Sequence, residues 1–221
     1  MHRSHSKSVS VAQALLCFLG FASTALGQSK SSRVFTNDDL SVNSPVQASD
    51  EPLPAGDSKG APYVPTPMLV LDRMLEIANV NATDVVYDLG SGDGRIVLRA
   101  AQRFGAQSVG IEIERTLVQE SKDKAQEMKL EGLAKFYQGD VFVADLSPAT
   151  VVTIYLLPEM LKDLRPHLEK KLRPGTRVVV HDMPIPIWKP SREDSVQVAG
   201  RAHAIYFYTI PEAFRKPQPQ Q

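Results

Sequence analysis

The sequence predicts a doubly wound α/β domain: a seven-stranded, mostly parallel sheet with an antiparallel return at its C-terminal edge. Two observations point there. Between residues 61 and 215, short apolar runs alternate with stretches of helical period ten to sixteen residues long, as strands joined by helical crossovers do. The last two apolar runs instead follow one another with no room for a helix, which only an antiparallel connection allows.

Each element has its own signal. Leu71, Met74, Leu75 and Ala78 recur at helical spacing, so 68–80 is expected to be a helix. The run DVVYDL at 84–89 stops at Gly90, as a buried parallel strand would. A helix over 94–104, a strand over 108–113 and a helix over 114–129 follow, then strands over 134–138 and 151–156. Residues 159–172 read as a helix with Gly175 beyond its end, and 176–181 as the fifth strand. The segments 195–198 and 202–210 (AHAIYFYTI) complete the sheet. Roughly 150 residues suffice for one hydrophobic core.

The remaining chain is of two other kinds. Arg3 and Lys7 precede an apolar run over 9–26 that closes on Ala25-Leu26-Gly27, the pattern of an export signal cleaved after Gly27. An uncleaved membrane anchor is the alternative, so the expected location is outside the cytoplasm or on a membrane. Residues 28–60 are rich in Ser, Asp, Asn, Pro and Gly with few aliphatics, a composition expected to be a disordered linker. The 221 residues hold 25 Lys+Arg and 25 Asp+Glu, and this balance argues against a general polyanion binder. The single cysteine, Cys17, excludes an internal disulfide and a cysteine zinc site.

The sharpest motif is DLGSGDGR at 88–95, directly after the first strand. Glycines there let backbone turn tightly and approach a ligand, and the free N–H groups of the next helix face whatever binds. The spacing is Gly90-x-Gly92-x-Gly94, not the Gly-x-Gly-x-x-Gly of dinucleotide folds. Asp88 before it would repel a pyrophosphate and attract an ammonium group. Glu112, ending the second strand, suits a ribose diol. Asp140, after the third, can accept from an adenine amino group. Alone, Glu112 could be a solvated helix start and Asp140 a turn residue. Three carboxylates at successive strand ends share one rim.

These residues resemble the class I S-adenosylmethionine-dependent methyltransferases, whose first motif matches VYDLGSGDG at 86–94. The resemblance implies a Rossmann-like sheet, with Asp88 and the glycines holding the methionine part of the cofactor, Glu112 its ribose and Asp140 its adenine. A narrower resemblance rests on PYVPTP at 62–67, VGIEIE at 109–114, IYLLPEML at 154–161 and PGTRVVVHDMPIPIWKP at 174–190. They are similar to a protein-lysine methyltransferase family whose mitochondrial members modify the ATP synthase c-subunit and the adenine nucleotide translocase. It implies a protein lysine as acceptor and places Tyr63 beside the cofactor. The export signal and long linker depart from the mitochondrial arrangement.

For the acceptor side, Tyr155 either lines the transfer pocket or is a half-buried strand aromatic. His181-Asp182 ends the fifth strand, where Asp182 faces substrate or caps a turn. After the fourth strand the chain lacks the Asn/Asp-Pro-Pro-aromatic motif of nucleic-acid amino methylation, so nucleic acid is not the expected partner. Trp188 is expected to anchor a Pro-rich loop. His167 and His203 read as surface or strand-packing residues, with no metal site expected. A small-molecule methyltransferase and a non-catalytic cofactor-binding domain are the competing readings.

Overall fold

Five apolar runs pair in parallel: β1 (Val85–Leu89), β2 (Gln107–Glu112), β3 (Ala134–Gln138), β4 (Val151–Ile154) and β5 (Arg177–His181). The computed structural model describes residues 64–214. Tyr63, the N-terminal segment and the linker lie outside them. Helix α1 (Met68–Ile77) precedes β1, α2 (Arg95–Phe104) leads from β1 to β2, α3 (Arg115–Glu127) from β2 to β3, and α4 (Pro158–Lys171) from β4 to β5. Strands β6 (Arg192–Val198) and β7 (Arg201–Thr209) form a hairpin whose second strand pairs antiparallel with β5. The sheet order is β3-β2-β1-β4-β5-β7-β6. Winding reverses between β1 and β4, and a doubly wound sheet opens its ligand crevice at the carboxyl ends of the strands at this point.

Alternation along the strands supplies apolar packing on both faces in three clusters, the smallest of which sets Val97, Val118 and Phe136 between α2, α3 and β3. Tyr87, Leu89, Ile111, Ile154, Val180 and Tyr208 pack with Leu161, Leu164 and Leu168 of α4 on one face. Val86, Val151, Val179 and Ile205 meet α1 and α2 on the other through Leu71, Met74, Leu75 and Ile96. At the amino-terminal end of the sheet, buried Asp84 accepts from Asn81 N–H at 2.9 Å, from the Thr150 hydroxyl at 2.8 Å and from the Arg177 guanidinium. One carboxylate thus clasps the starts of β1, β4 and β5.

Several boundaries differ from expectation, three of them with a structural consequence. Helix α1 stops at Ile77, because Asn79 turns left-handed (φ 52°). Strand β4 ends at Ile154, leaving Tyr155 and Leu156 in the loop before α4. Strand β6 begins at Arg192, earlier than the 195 expected; Arg192, Glu193 and Asp194 pair with Phe207, Tyr206 and Ile205 of β7 although they carry no apolar alternation. As an edge strand, β6 is held by its ladder to one neighbour and its outer residues stay polar. The hairpin turns on Ala199 and Gly200, both at positive φ (49° and 82°), which matches the twist of the flanking strands.

Candidate functional site

The glycine loop is pinned to the end of β2. Gly90 and Ser91 N–H groups donate to the Ile111 carbonyl at 2.9 and 3.0 Å. Gly92 N–H donates to Glu112 Oε2 at 2.8 Å, and Glu112 Oε1 accepts from Ile113 and Glu114 N–H at 2.8 and 3.0 Å. Gly90, Gly92 and Gly94 all lie at positive φ (79°, 54° and 77°). They differ in surroundings. A Cβ on Gly90 would meet Leu156 at 2.9 Å, whereas one on Gly94 would run into Phe136 at 2.6 Å and Ser121 Oγ at 2.7 Å. Gly94 therefore lets α2 seat on the sheet.

Asp88, the penultimate residue of β1, is 3% exposed and accepts from the Thr153 hydroxyl at 2.7 Å. Burial raises its carboxyl to about 7; the Thr153 hydroxyl opposes this, and the nearby charges of Glu112 and Asp93 reinforce it. Asp140 follows β3 and accepts from Phe142 N–H at 2.9 Å on Oδ1, which shapes the turn. Asp88, Glu112 and Asp140 stand at the carboxyl ends of three adjacent strands, as the sheet order requires.

A second cluster occupies the ends of β4 and β5. His181 Nε2 and His203 Nδ1 are 2.9 Å apart and both rings are buried. His181 Nδ1 lies 3.2 Å from the Thr66 hydroxyl, and the Tyr155 ring covers His181 with centroids 4.0 Å apart. Asp182 adopts φ 61° and aims its carboxylate back at β7, where Arg201 donates at 2.6 Å and Ala204 N–H at 3.1 Å. The same Oδ2 is 3.4 Å from His181 Nε2 and 3.5 Å from His203 Nδ1. Burial lowers the His181 imidazole to about 4, although Asp182 pulls the other way, so the ring is neutral at physiological pH. Burial pushes the Tyr155 phenol up, and the Asp182 carboxylate adds to this.

Among the described residues, His181, Asp182 and His203 are the group whose donor atoms are spaced like metal ligands. Their hydrogen bonds to Thr66, Arg201, Ala204 and one another already complete the cluster. Of the surface and strand-packing readings of His203, strand packing holds: it is buried on β7 and bonded to His181, because antiparallel pairing sets His181 opposite Ile205. Asp182 does not cap the following turn; its oxygens are used by Arg201 and Ala204. Trp188 is buried, donates to Glu169 Oε1 at 2.9 Å and packs edge-on against Tyr208, so it anchors its loop. His167 bonds the Ala144 carbonyl at 2.8 Å and fastens the loop after β3 to α4.

The two clusters are joined. The segment before α1 lies across both, through the Thr66 hydroxyl on His181 and the Thr66 carbonyl, which accepts from Arg95 Nη1 at 2.9 Å. Arg95 forks onto Asp93 in the glycine loop at 2.9 Å. Burial works against the Asp93 carboxylate, but Arg95 and Lys124 hold it below the usual range. Sequence reasoning missed Gly110, where a Cβ would strike Phe136 and Ser91 Oγ at 2.7 Å. An isolated glycine inside an apolar strand was the available signal.

Comparison with known proteins agrees with this geometry. Residues 88–192 match the ANTKMT methyltransferase domain family. A protein-lysine N-methyltransferase of Saccharolobus islandicus (strain REY15A) is 45% identical over 152 residues, covering 68% of this chain and 94% of the relative. The Homo sapiens lysine N-methyltransferase of the ATP synthase c-subunit is 34% identical over 129 residues; the match takes in 58% of this chain but only 54% of that relative. A crystal structure of an RNA methyltransferase from Salinibacter ruber in complex with S-adenosyl-L-homocysteine is 52% identical, covers 70% of this chain and 97% of that one, and superposes with a TM-score of 0.64.

Proposed function

This chain belongs to the protein-lysine N-methyltransferase family that carries the ANTKMT methyltransferase domain, and on that premise we propose that it methylates the side-chain amine of a protein lysine. Its cofactor is S-adenosylmethionine, which when bound supplies an electrophilic methyl group on a sulfonium. The described residues fit that group. Glu112 uses three of a carboxylate's roughly four acceptor positions on backbone N–H groups and keeps capacity for a ribose hydroxyl. Asp88 is the acceptor for the cofactor's ammonium group, Asp140 for its adenine amine, and the backbone at Gly90 and Gly92 allows close approach. Gly94 supports the loop from behind, and Tyr63 is assigned to the cofactor side from its motif alone.

On the acceptor side one observation carries the reading. Asp182, at the end of β5, already holds a side-chain cation, Arg201, whose own side chain is 60% exposed. A substrate lysine entering at this rim exchanges with Arg201 on the same carboxylate, and Tyr155 borders it. The chain's contribution is to orient the amine, exclude water and accept its proton, as in-line transfer needs little more than placement. Neutral His181 adds no competing positive charge beside Asp182. Transfer of radiolabelled methyl from S-adenosylmethionine to protein, followed by mapping of the modified residue, tests this. Label confined to small molecules, or binding without turnover, overturns it.

The Salinibacter ruber relative favours a second reading, methylation of RNA. Against it stand the missing Asn/Asp-Pro-Pro-aromatic motif after β4 and the commitment of Arg95, Lys124 and Arg201 at the strand ends to Asp93 and Asp182, which takes them from phosphate. Running total RNA beside protein substrates in the same assay separates the two. We further propose an extracytoplasmic or membrane-attached location through residues 1–27, which fractionation with N-terminal sequencing of the mature chain tests.

A further inference from the structure

We propose that the rim around Asp182 selects lysines flanked by large apolar residues, with Leu157, Met183 and Ile187 as the specificity-determining side chains. This rests on the protein-lysine reading above and names the kind of sequence that reading would act on. The first observation is where the apolar surface lies. Of the nine large apolar side chains exposed among the described residues, five, Ile113, Val143, Leu157, Met183 and Ile187, stand in the loops that follow β2, β3, β4 and β5. Exposed apolar side chains gathered at one end of a domain mark a contact surface. The acceptor nitrogen must reach that same end, so the residues beside it in the substrate necessarily lie over these loops.

The second observation is strain. Ile187 is β-branched, yet it sits at φ 74° with 82% of its surface exposed. Such a backbone is strained for a β-branched residue and persists only where neighbours enforce it. The neighbours are evident: Ile185 and Trp188 on either side are buried, at 1% and 5% exposed, and Trp188 is bonded to Glu169. The loop is nailed down at both flanks and turns Ile187 outward, where the fold gains nothing from it. Met183 follows Asp182 directly, and Leu157 follows Tyr155 by two positions. The residues that meet the amine and those that present apolar surface therefore share two loops.

Charge separates a polypeptide from other occupants. Glu114 and Asp140 stand at the same strand ends, where Arg95 and Lys124 are already engaged by Asp93 and Arg201 by Asp182. Anionic lipid and RNA need cations that are not already committed to carboxylates. A lysine with apolar neighbours satisfies both the carboxylates and the exposed side chains.

The test uses the full chain and two short peptides with one central lysine, flanked by Leu and Val in one and by Ser and Gln in the other. Wild type is expected to methylate the apolar-flanked peptide with kcat/KM at least about tenfold higher. Leu157→Ser and Ile187→Ser reduce that ratio towards one without changing S-adenosylmethionine binding. Ile187→Gly removes the backbone strain, so it melts no lower than wild type yet loses selectivity, which excludes misfolding as the cause. Equal kcat/KM for the two peptides with wild type, or a ratio unaltered in the variants, overturns the proposal while leaving lysine methylation standing. Methylation of RNA and of neither peptide overturns both readings. Flotation with phosphatidylcholine–phosphatidylglycerol vesicles that is lost in Ile187→Ser, with no peptide preference, assigns the surface to a bilayer and also overturns it.

Discussion

Replacing Asp88 by Asn isolates the energetics of the buried carboxyl at the glycine loop. The folded, cofactor-free protein holds the Asp88 proton up to about pH 7, whereas an ordinary aspartate loses it near 3.8. Between those values the folded state binds more protons than the unfolded state, so stability contributed at this site falls as pH rises. A difference of about 3 in pKa, at about 1.4 kcal/mol for each tenfold change, corresponds to about 4 kcal/mol. Asn is isosteric, never ionises, and can still accept from the Thr153 hydroxyl. The stability of Asp88→Asn relative to wild type should therefore climb by up to about 4 kcal/mol from pH 4 to pH 8. Denaturant unfolding of both proteins across that range measures it. The comparison is between variants because His181, lowered to about 4, works the other way: its contribution is lost as pH falls from about 6.5 to about 4. Curves that stay parallel across the whole range would refute the argument. The same substitution should weaken S-adenosylmethionine binding, since the ammonium loses its counter-charge. Wild-type binding near pH 7 should release protons, seen as a buffer-dependent calorimetric enthalpy that Asp88→Asn lacks.

Other expectations follow from single contacts. Glu112→Ala removes the acceptor of three backbone N–H groups and of a ribose hydroxyl, so calorimetry should show cofactor affinity down by at least about tenfold, about 1.4 kcal/mol. Gly94→Ala drives a Cβ into Phe136 at positive φ and should cost about 2–4 kcal/mol of stability in denaturant unfolding. Asp182→Asn should raise KM for a lysine peptide far more than it changes cofactor Kd; equal effects on both would remove Asp182 from the acceptor side. Imidazole NMR of His181 should show no titration between about pH 5 and about pH 8, because burial keeps the ring neutral.

What the sequence made legible was what depends on neighbours in the chain. Strand periodicity, the glycine loop with its flanking Asp88, and the closing hairpin are local patterns, and each appears where its residues put it. Contacts set by strand pairing were not legible. His181 and His203 are 22 positions apart, and only the β5–β7 register brings their rings together. Gly110 and Phe136 meet across β2 and β3, a packing requirement that one sequence does not announce. Strand β6 begins in a charged triplet because the ladder to β7, not propensity, holds an edge strand. Sequence alone leaves Asp182 either facing substrate or capping a turn; its left-handed backbone, turning the carboxylate onto Arg201, lies beyond local pattern.

The Asp84 clasp gives the domain a division of labour. Three strands are gathered by one carboxylate at the end of the sheet farthest from the glycine loop, so mechanical integrity and chemistry reside at opposite poles. Loops at the chemical pole can lengthen, shorten or exchange side chains without touching the knot that keeps β1, β4 and β5 in register. A lineage built on this plan is free to retarget its acceptor by rewriting a few rim residues, while the far pole stays unchanged.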